Sequence, residues 1–410
     1  MSDSKVFPGI MPNERLSGLR LSRAMERLYD VWNPYQDHGN ELYTTFRFSR
    51  VTGIGKDPIC TRRDPSMVLK IDGKYYVWYT KRISEPKPVG KPNSTAGLPG
   101  TDWDLADIWY AISRDGWHWE EQSCAVPRQP KGKLGNRAVI TPDVLATDGK
   151  FYLYYQAYTV LPGEKDMWVQ DVDCGMAWSE SPDGPWTAAE EPVVRRGRPG
   201  DWDASVIHDP MCLKFRGKYW LYYKGNPGAR HKDPDNYDSY VRIAQGVAVA
   251  DKPEGPFVKV PENPVLSSGH ETGLFRFRDG VAAILSCEGA EKNTIQFSRD
   301  GVNFDIRSII TLAPIAPGPF NPDAYSGTDD AQGISWGLCH INPDGGGMTE
   351  PSFIARFDCN LTQAIRHDLF KENNIRYNEQ TYFQPGVILP EALREYYREK
   401  AQERDRDISF

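Results

Sequence analysis

The chain has 410 residues, with 49 Lys and Arg against 56 Asp and Glu, and this net charge of −7 argues against a nucleic-acid polyanion as partner. Its seven cysteines are odd in number and scattered without Cys-x-x-Cys spacing, so neither a disulfide framework nor a zinc ribbon is indicated. Reduced thiols in a cytoplasm are the simplest account; no run is long and apolar enough to span a bilayer, and a periplasmic location follows only if a leader was removed.

In chain order the first element is a helix outside any repeat. Leu21, Ala24, Met25, Leu28, Tyr29 and Trp32 recur at i, i+3, i+4 spacing, Ser17 or Ser22 can cap the start, and Pro34 limits the end. Its apolar stripe must bury on its own chain or on a second subunit, so residues 1–45 read as a helical segment suited to exchange in a homodimer.

The next stretch carries the main signal. Thr61-Arg62-Arg63-Asp64-Pro65-Ser66 precedes Asp72-Gly73-Lys74-Tyr75-Tyr76, which returns as Asp148-Gly149-Lys150-Phe151-Tyr152, as Arg216-Gly217-Lys218-Tyr219-Trp220 and, more weakly, as Arg278-Asp279-Gly280-Val281. Copies lie roughly 60 to 80 residues apart. A second marker trails each one, at Asp115-Gly116, Asp183-Gly184, Glu254-Gly255 and Asp300-Gly301. Asp-Gly supplies the positive φ of tight hairpin turns, so each pair of markers reads as two hairpins, hence one four-stranded blade. A fainter fifth unit runs through Gly333-Ile334-Ser335-Trp336-Gly337-Leu338 and Ser352–Phe357. The fold expected is all-β, a five-bladed β-propeller over residues 46–375; a β-sandwich with coincidental turns is the alternative. The Pro/Gly/Ser-rich stretch from Ile83 to Gly100 reads as a long loop near one mouth of the ring, and residues 376–410 as a tail with a charged helix.

Chemistry is expected at the starts of the innermost strands. Asp64 stands before Gly73, Asp143 before Gly149, Asp209 before Gly217 and Glu271 before Gly280, in phase with the repeat. Three carboxylates and the His270-Glu271 pair would then converge on one pocket, which is costly unless they are bonded, paired or share protons. Glycoside hydrolysis requires such a cluster, with an ionised base to polarise water and a proton donor for the departing oxygen. Gly333-Ile334-Ser335-Trp336-Gly337 also matches a serine nucleophile elbow, but no helix is expected after it.

Taken together, Thr61–Ser66, Val206-Ile207-His208-Asp209-Pro210, Tyr222-Tyr223-Lys224-Gly225, Ser268-Gly269-His270-Glu271 and Gly301-Val302-Asn303-Phe304-Asp305 resemble glycoside hydrolase family 117 over nearly the whole chain, including the segment Ser22–Arg27. That resemblance implies a five-bladed exo-hydrolase removing terminal 3,6-anhydro-L-galactose from neoagaro-oligosaccharides with inversion. It assigns Asp64 as general base, Asp209 as the carboxylate that orients and tunes the site, and His270 as proton donor beside Glu271. His270 is favoured over Glu271 because an imidazole titrates near neutrality unaided. Lys224 is implied as a substrate contact. Arg63, Trp109, Thr141, Asp143 and His208 are further candidates for substrate binding, Trp109 by stacking and His208 by orienting Asp209. Asp143 stands where agar-acting members carry Glu, which opens other terminal sugars: 3,6-anhydro-D-galactose, galactofuranose or arabinose. A non-catalytic sugar-binding propeller is the reading from another class. No cofactor is required, although the resemblance admits a divalent cation near the pocket. The expected partners are an oligosaccharide and a second copy of the chain, not a membrane.

Overall fold

The computed structural model describes residues 6–9, 12, 14–29, 40–160, 172–227, 243–289, 291–343, 349–363 and 370. Among these the chain is nearly all strand. One meander runs Cys60–Arg63, Leu69–Ile71, Lys74–Ile83, Asp107–Ser113 and Trp119–Val126, and a second runs Ala138–Thr147, Lys150–Tyr158, Val172–Ser179 and Thr187–Ala188. A third follows through Val206–Phe215, Lys218–Asn226, Ala244–Ala250 and Val258–Lys259, and a fourth through Gly273–Arg278, Gly280–Leu285, Thr294–Ser298 and Asp305–Ile309. Gly318–Pro319, Ala331–Ile341 and Phe353–Thr362 complete the succession, and Arg47–Arg50, from the start of the chain, pairs antiparallel with Phe353–Thr362. The earliest of these strands therefore joins the last sheet.

The turn chemistry explains the meanders. Asp72-Gly73, Asp148-Gly149 and Arg216-Gly217 all have positive φ at both residues and join strands in two-residue turns, with Ile71 facing Lys74, Thr147 facing Lys150 and Phe215 facing Lys218. The fourth copy departs from expectation. Its turn is Arg278-Asp279, and Gly280 is already the first strand residue, facing Phe277. A Cβ there would run into the carbonyl oxygen of Ser298, so close backbone approach and not turn geometry requires this glycine. In the outer turns Asp115 and Asp300 each accept backbone N–H groups with one carboxylate oxygen, Asp115 from Trp117 and His118 and Asp300 from Val302 and Asn303.

A second regularity lies at the inner ends. Asp64, Thr141, Asp209, Glu271 and Ala316 have φ of 52°, 47°, 48°, 60° and 48°, and all five line one small cavity. Four of the five are followed by proline, and the fifth, Glu271, by threonine. The register of the inner strand skips at this point, between Ile140 and Asp143 and between His208 and Met211. Such a bulge turns the positive-φ residue toward the centre. The residue of the second meander in phase with Asp64 and Asp209 is therefore Thr141; the sequence expectation of Asp143 was out of register.

Asp143 has a different place. It is 1 % exposed, and its two oxygens accept the backbone N–H of Met67 (3.0 Å) and of Cys212 (2.9 Å), so one carboxylate ties three successive meanders together. Burial pushes its carboxyl up to about 7, with the amides of Cys212, Met67 and Val144 acting against that rise.

The N-terminal helix is short, Arg23–Arg27, with Ser22 as N-cap. Ala24 and Met25 are fully buried against Tyr154, Tyr223 and Leu221, Ser22 Oγ donates to the carbonyl of Pro264, and Arg27 pairs with Glu291. The stripe thus finds its cover on the chain itself. The expected continuation to Trp32 falls outside the described residues, as does the charged helix expected within 376–410. Gly333–Gly337 lies inside the strand Ala331–Ile341, which disposes of a nucleophile elbow.

A carboxyl with a raised folded pKa contributes most below its unfolded value and loses that contribution as pH rises through the folded value. For Asp143 the window runs from about 4 to about 7. The stability advantage of wild type over Asp143→Asn, measured by urea denaturation, is expected to narrow as pH rises across that window; a constant gap would mean that Asp143 is not titrating there.

Candidate active site

The positive-φ bulge brings Asp64 to the centre, where burial alone would raise its pKa. Arg63 and His340 more than offset that and hold the carboxyl well below the usual range, so Asp64 is a carboxylate at any working pH. Arg63 Nε lies 3.1 and 3.0 Å from the two Asp64 oxygens. The same guanidinium donates through Nη1 to Asp102 (2.8 Å) and through Nη2 to Glu271 (3.2 Å), and the side chain is almost wholly buried. Arg63 was expected to bind substrate; it is the common cation of three buried carboxylates.

Each inner residue is steadied by the neighbouring strand. Thr80 Oγ1 donates to Asp64 Oδ2 (3.1 Å) and accepts the backbone N–H of Thr141 (2.9 Å), which couples the first meander to the second. Thr141 Oγ1 donates to Gln156 Oε1 (2.8 Å). Lys224 Nζ lies 2.8 Å from Asp209 Oδ2, close enough for an ion pair but out of line for a hydrogen bond, so that oxygen has no hydrogen-bond donor. His208 Nε2 is 3.3 Å from the Tyr158 hydroxyl, and burial, reinforced by Lys224 and His270, keeps the ring neutral.

His270 and Glu271 follow Gly269, whose φ of 121° no side chain favours and whose Cβ would strike Thr272 Oγ1. His270 Nε2 is 3.6 Å from Glu271 Oε1, and its Nδ1 is 3.3 Å from Glu288 Oε1. The imidazole is 34 % exposed and Glu271 only 7 %, so the histidine is the member of the pair that solvent or substrate reaches.

A cavity of ≈ 270 Å³ gathers Arg63, Asp64, Thr141, His208, Asp209, Lys224, His270 and Glu271 on its walls, with Trp103 and Tyr158 as aromatic surfaces. Two candidates are not in that wall. Asp143 has both oxygens taken by backbone, and Trp109 lies on Asp107–Ser113 with Lys81 Nζ 3.7 Å over its ring.

Three contributors escaped the sequence reading. His340 is fully buried; its Nδ1 is 3.1 Å from Asp64 Oδ1 and its Nε2 3.6 Å from Glu271 Oε2. Asp102 binds Arg63 and accepts from Ser352 Oγ (2.8 Å). Trp103 is presented between Asp102 and Asp104, the latter paired with Arg137, and its ring packs 4.8 Å from that of Tyr158. Strand pairing could have found His340, since it falls on the strand next to the innermost one, as Thr80, Gln156 and Lys224 do in their units. The loop residues Asp102 and Trp103 follow no repeat.

Asp64, Glu271 and His340 offer one ligand atom each within 4.8 Å of one another and could hold a cation. Arg63 already bonds both carboxylates, so these atoms form a closed ion-pair network without one.

Strands in repeated meanders converging on a carboxylate-rich cavity define a glycoside hydrolase of the propeller type, and the comparisons agree. The profile of glycosyl hydrolases family 43 matches residues 56–211. Among solved structures, Zg3597, a family 117 glycoside hydrolase produced by the marine bacterium Zobellia galactanivorans, is 39% identical with a TM-score of 0.74, over 84% of this chain and 99% of that one. CoXyl43, a family 43 β-xylosidase/α-arabinofuranosidase from a compost microbial metagenome, is 18% identical with a TM-score of 0.51, over 76% and 94% of the two chains, a likeness of fold alone. Among curated proteins none matches. The chain belongs to glycoside hydrolase family 117.

Breaking a buried ion pair from one side costs about 3–5 kcal/mol because the partner charges stay behind. Arg63→Met leaves Asp64, Asp102 and Glu271 without their cation and is expected to lose about that much at pH 7. Asp64, whose pKa is depressed, contributes stability present above its unfolded value near 3.8 and lost below it. Guanidinium melts at pH 7 and at about pH 2.5, inside the range between the unfolded value and the depressed folded one, should therefore show the deficit shrinking on acidification, opposite in sense to the Asp143 trend.

Proposed function

We propose that this glycoside hydrolase is an inverting exo-enzyme on a five-bladed ring, releasing terminal 3,6-anhydro-L-galactose from neoagaro-oligosaccharides, with Asp64 as base and His270 as acid. The observation that bears on which residue is the acid is the closeness of Asp64 to Glu271. Their facing atoms lie within 4.8 Å and share Arg63, whereas an inverting pair needs its groups about 6.5–9.5 Å apart with a water between. Glu271 is held by Arg63, and His270, the more exposed member of the pair and on the same cavity wall, is taken as the donor.

In this scheme Asp64 takes a proton from water as that oxygen bonds to the anomeric carbon. The glycosidic C–O bond breaks on the opposite face, and His270 Nε2 gives its proton to the departing oxygen. A carboxylate held so far below its usual range is a weak base, yet it is always ionised, and its negative charge stabilises the oxocarbenium character of the transition state. Asp209 and Lys224, both on the cavity wall, are assigned to sugar hydroxyls. Trp103 and Tyr158 supply apolar faces for a ring. A cavity of ≈ 270 Å³ suits a terminal residue better than a continuous chain. Asp143, bound to backbone, does not bear on the choice of sugar as its sequence position suggested.

Product analysis on neoagarobiose, neocarrabiose and aryl furanosides tests the reading. Wild type should release 3,6-anhydro-L-galactose with or without a chelator, and Asp64→Asn should lose about 10²–10⁴-fold. Release from neocarrabiose or a furanoside instead would move the substrate, and loss of activity on chelation would show that a divalent cation at Asp64, Glu271 and His340 is required. No turnover by folded protein would favour the binding-module reading.

We further propose a homodimer that exchanges the N-terminal segment, whose helix Arg23–Arg27 seats in a groove of buried aromatic side chains. Light scattering on a chain beginning at Asp37 should report monomers; an unchanged dimer mass would refute the exchange.

A further inference from the structure

Glu288 belongs to neither the repeat nor the family-like motifs, yet its placement is costly. The strand Cys287–Gly289 pairs with Ser268–His270 in a two-stranded sheet of their own, Ser268 facing Gly289 and His270 facing Cys287. Glu288 has φ of 54° and Gly289 of 91°, two consecutive left-handed residues, and a Cβ on Gly289 would strike Ser268. A non-glycine residue in that region costs on the order of 1–2 kcal/mol, which persists only where surrounding structure enforces it. The reversal aims the half-exposed Glu288 side chain at the histidine, with Oε1 3.3 Å from His270 Nδ1.

We propose that Glu288 is a positioning residue for the proton donor, fixing His270 by Nδ1 so that Nε2 is the nitrogen that hands its proton to the leaving oxygen. This rests on the assignment of His270 as acid made above. With Nδ1–H donated to a carboxylate, the ring cannot turn over to present Nδ1, and the imidazolium that precedes transfer is stabilised. After Nε2 gives up its proton the ring is neutral and Nδ1–H remains bonded to Glu288. The other charged or titratable groups around the pair include Glu271, Cys287, Lys224, His208 and Lys292. Glu271 lies 3.6 Å from the imidazole, on the Nε2 side. Consistent with the geometry, the hydrogen bond from His270 is the leading cause holding the Glu288 carboxyl below its ordinary value, ahead of Lys224 and Lys292.

The test exploits the chemistry of the leaving group. Neoagarobiose must have its departing sugar oxygen protonated, whereas 4-nitrophenyl 3,6-anhydro-α-L-galactoside expels a stable phenolate without an acid. Glu288→Gln keeps the side-chain size and removes the charge. It is expected to lower kcat on neoagarobiose about 10–100-fold with KM little changed, and to leave the nitrophenyl glycoside within about threefold of wild type. His270→Ala should show the same selectivity more strongly. An equal loss on both substrates would reduce Glu288 to a structural residue, and no loss on either would remove it from the mechanism. If His270→Ala itself fails to discriminate between the substrates, the acid assignment falls. Selectivity in His270→Ala but not in Glu288→Gln overturns only the present inference.

Discussion

One guanidinium makes this site foldable. Asp64, Asp102 and Glu271 are each less than a tenth exposed, and three such charges without compensation would each cost several kcal/mol of desolvation besides their mutual repulsion. Arg63 meets all three with separate N–H groups, a geometry that the planar fork of arginine supplies and a lysine cannot. The consequences reach the proposed chemistry. Arg63 holds Asp64 ionised and also binds Glu271, and on the proposed assignment proton donation then falls to the neighbouring histidine.

The ring geometry then decides which side chains can take part. Five positive-φ residues at the inner ends of successive strands line one small cavity, and what stands there differs: Asp64, Thr141, Asp209, Glu271 and Ala316. Three acids, a hydroxyl and a methyl make an asymmetric floor in a pseudo-symmetric scaffold. The next strand supplies a matching partner for several of them, Thr80 for Asp64, Gln156 for Thr141 and Lys224 for Asp209, so support is built from the repeat as well. A further carboxylate, Asp143, spends its oxygens on backbone amides of the two adjoining units and is absent from the wall of the larger cavity.

Much of this was legible because turns and strands obey short-range rules. Asp72-Gly73 and Asp148-Gly149 announce two-residue hairpins, and the acids that precede them announce a convergent site. The errors arose where a one-dimensional count met a three-dimensional register. Asp143 looked like the counterpart of Asp64, but the bulge falls at Thr141, and a shift of two residues leaves the side chain on the same face while exchanging the cavity for the backbone of a neighbour. Gly280 looked like a turn and is a point of close strand contact. Trp109 looked like a sugar platform; the cavity uses Trp103, which sits in a loop whose position depends on Asp102 and Asp104 finding Arg63 and Arg137 far along the chain. His340 was invisible for the same reason, since its partners come from the first and fourth units.

The close approach of Asp64 and Glu271 leaves one sharp choice, since a pair about 5 Å apart is also the spacing of a retaining enzyme. Turnover of neoagarobiose by wild type in aqueous methanol separates the two most directly. If Asp64 activates water opposite His270, the sugar leaves as the free anhydro sugar and no methyl α-glycoside accumulates. Methyl glycoside of retained configuration would mean a covalent intermediate on Asp64 with Glu271 as acid and base, and would contradict the account.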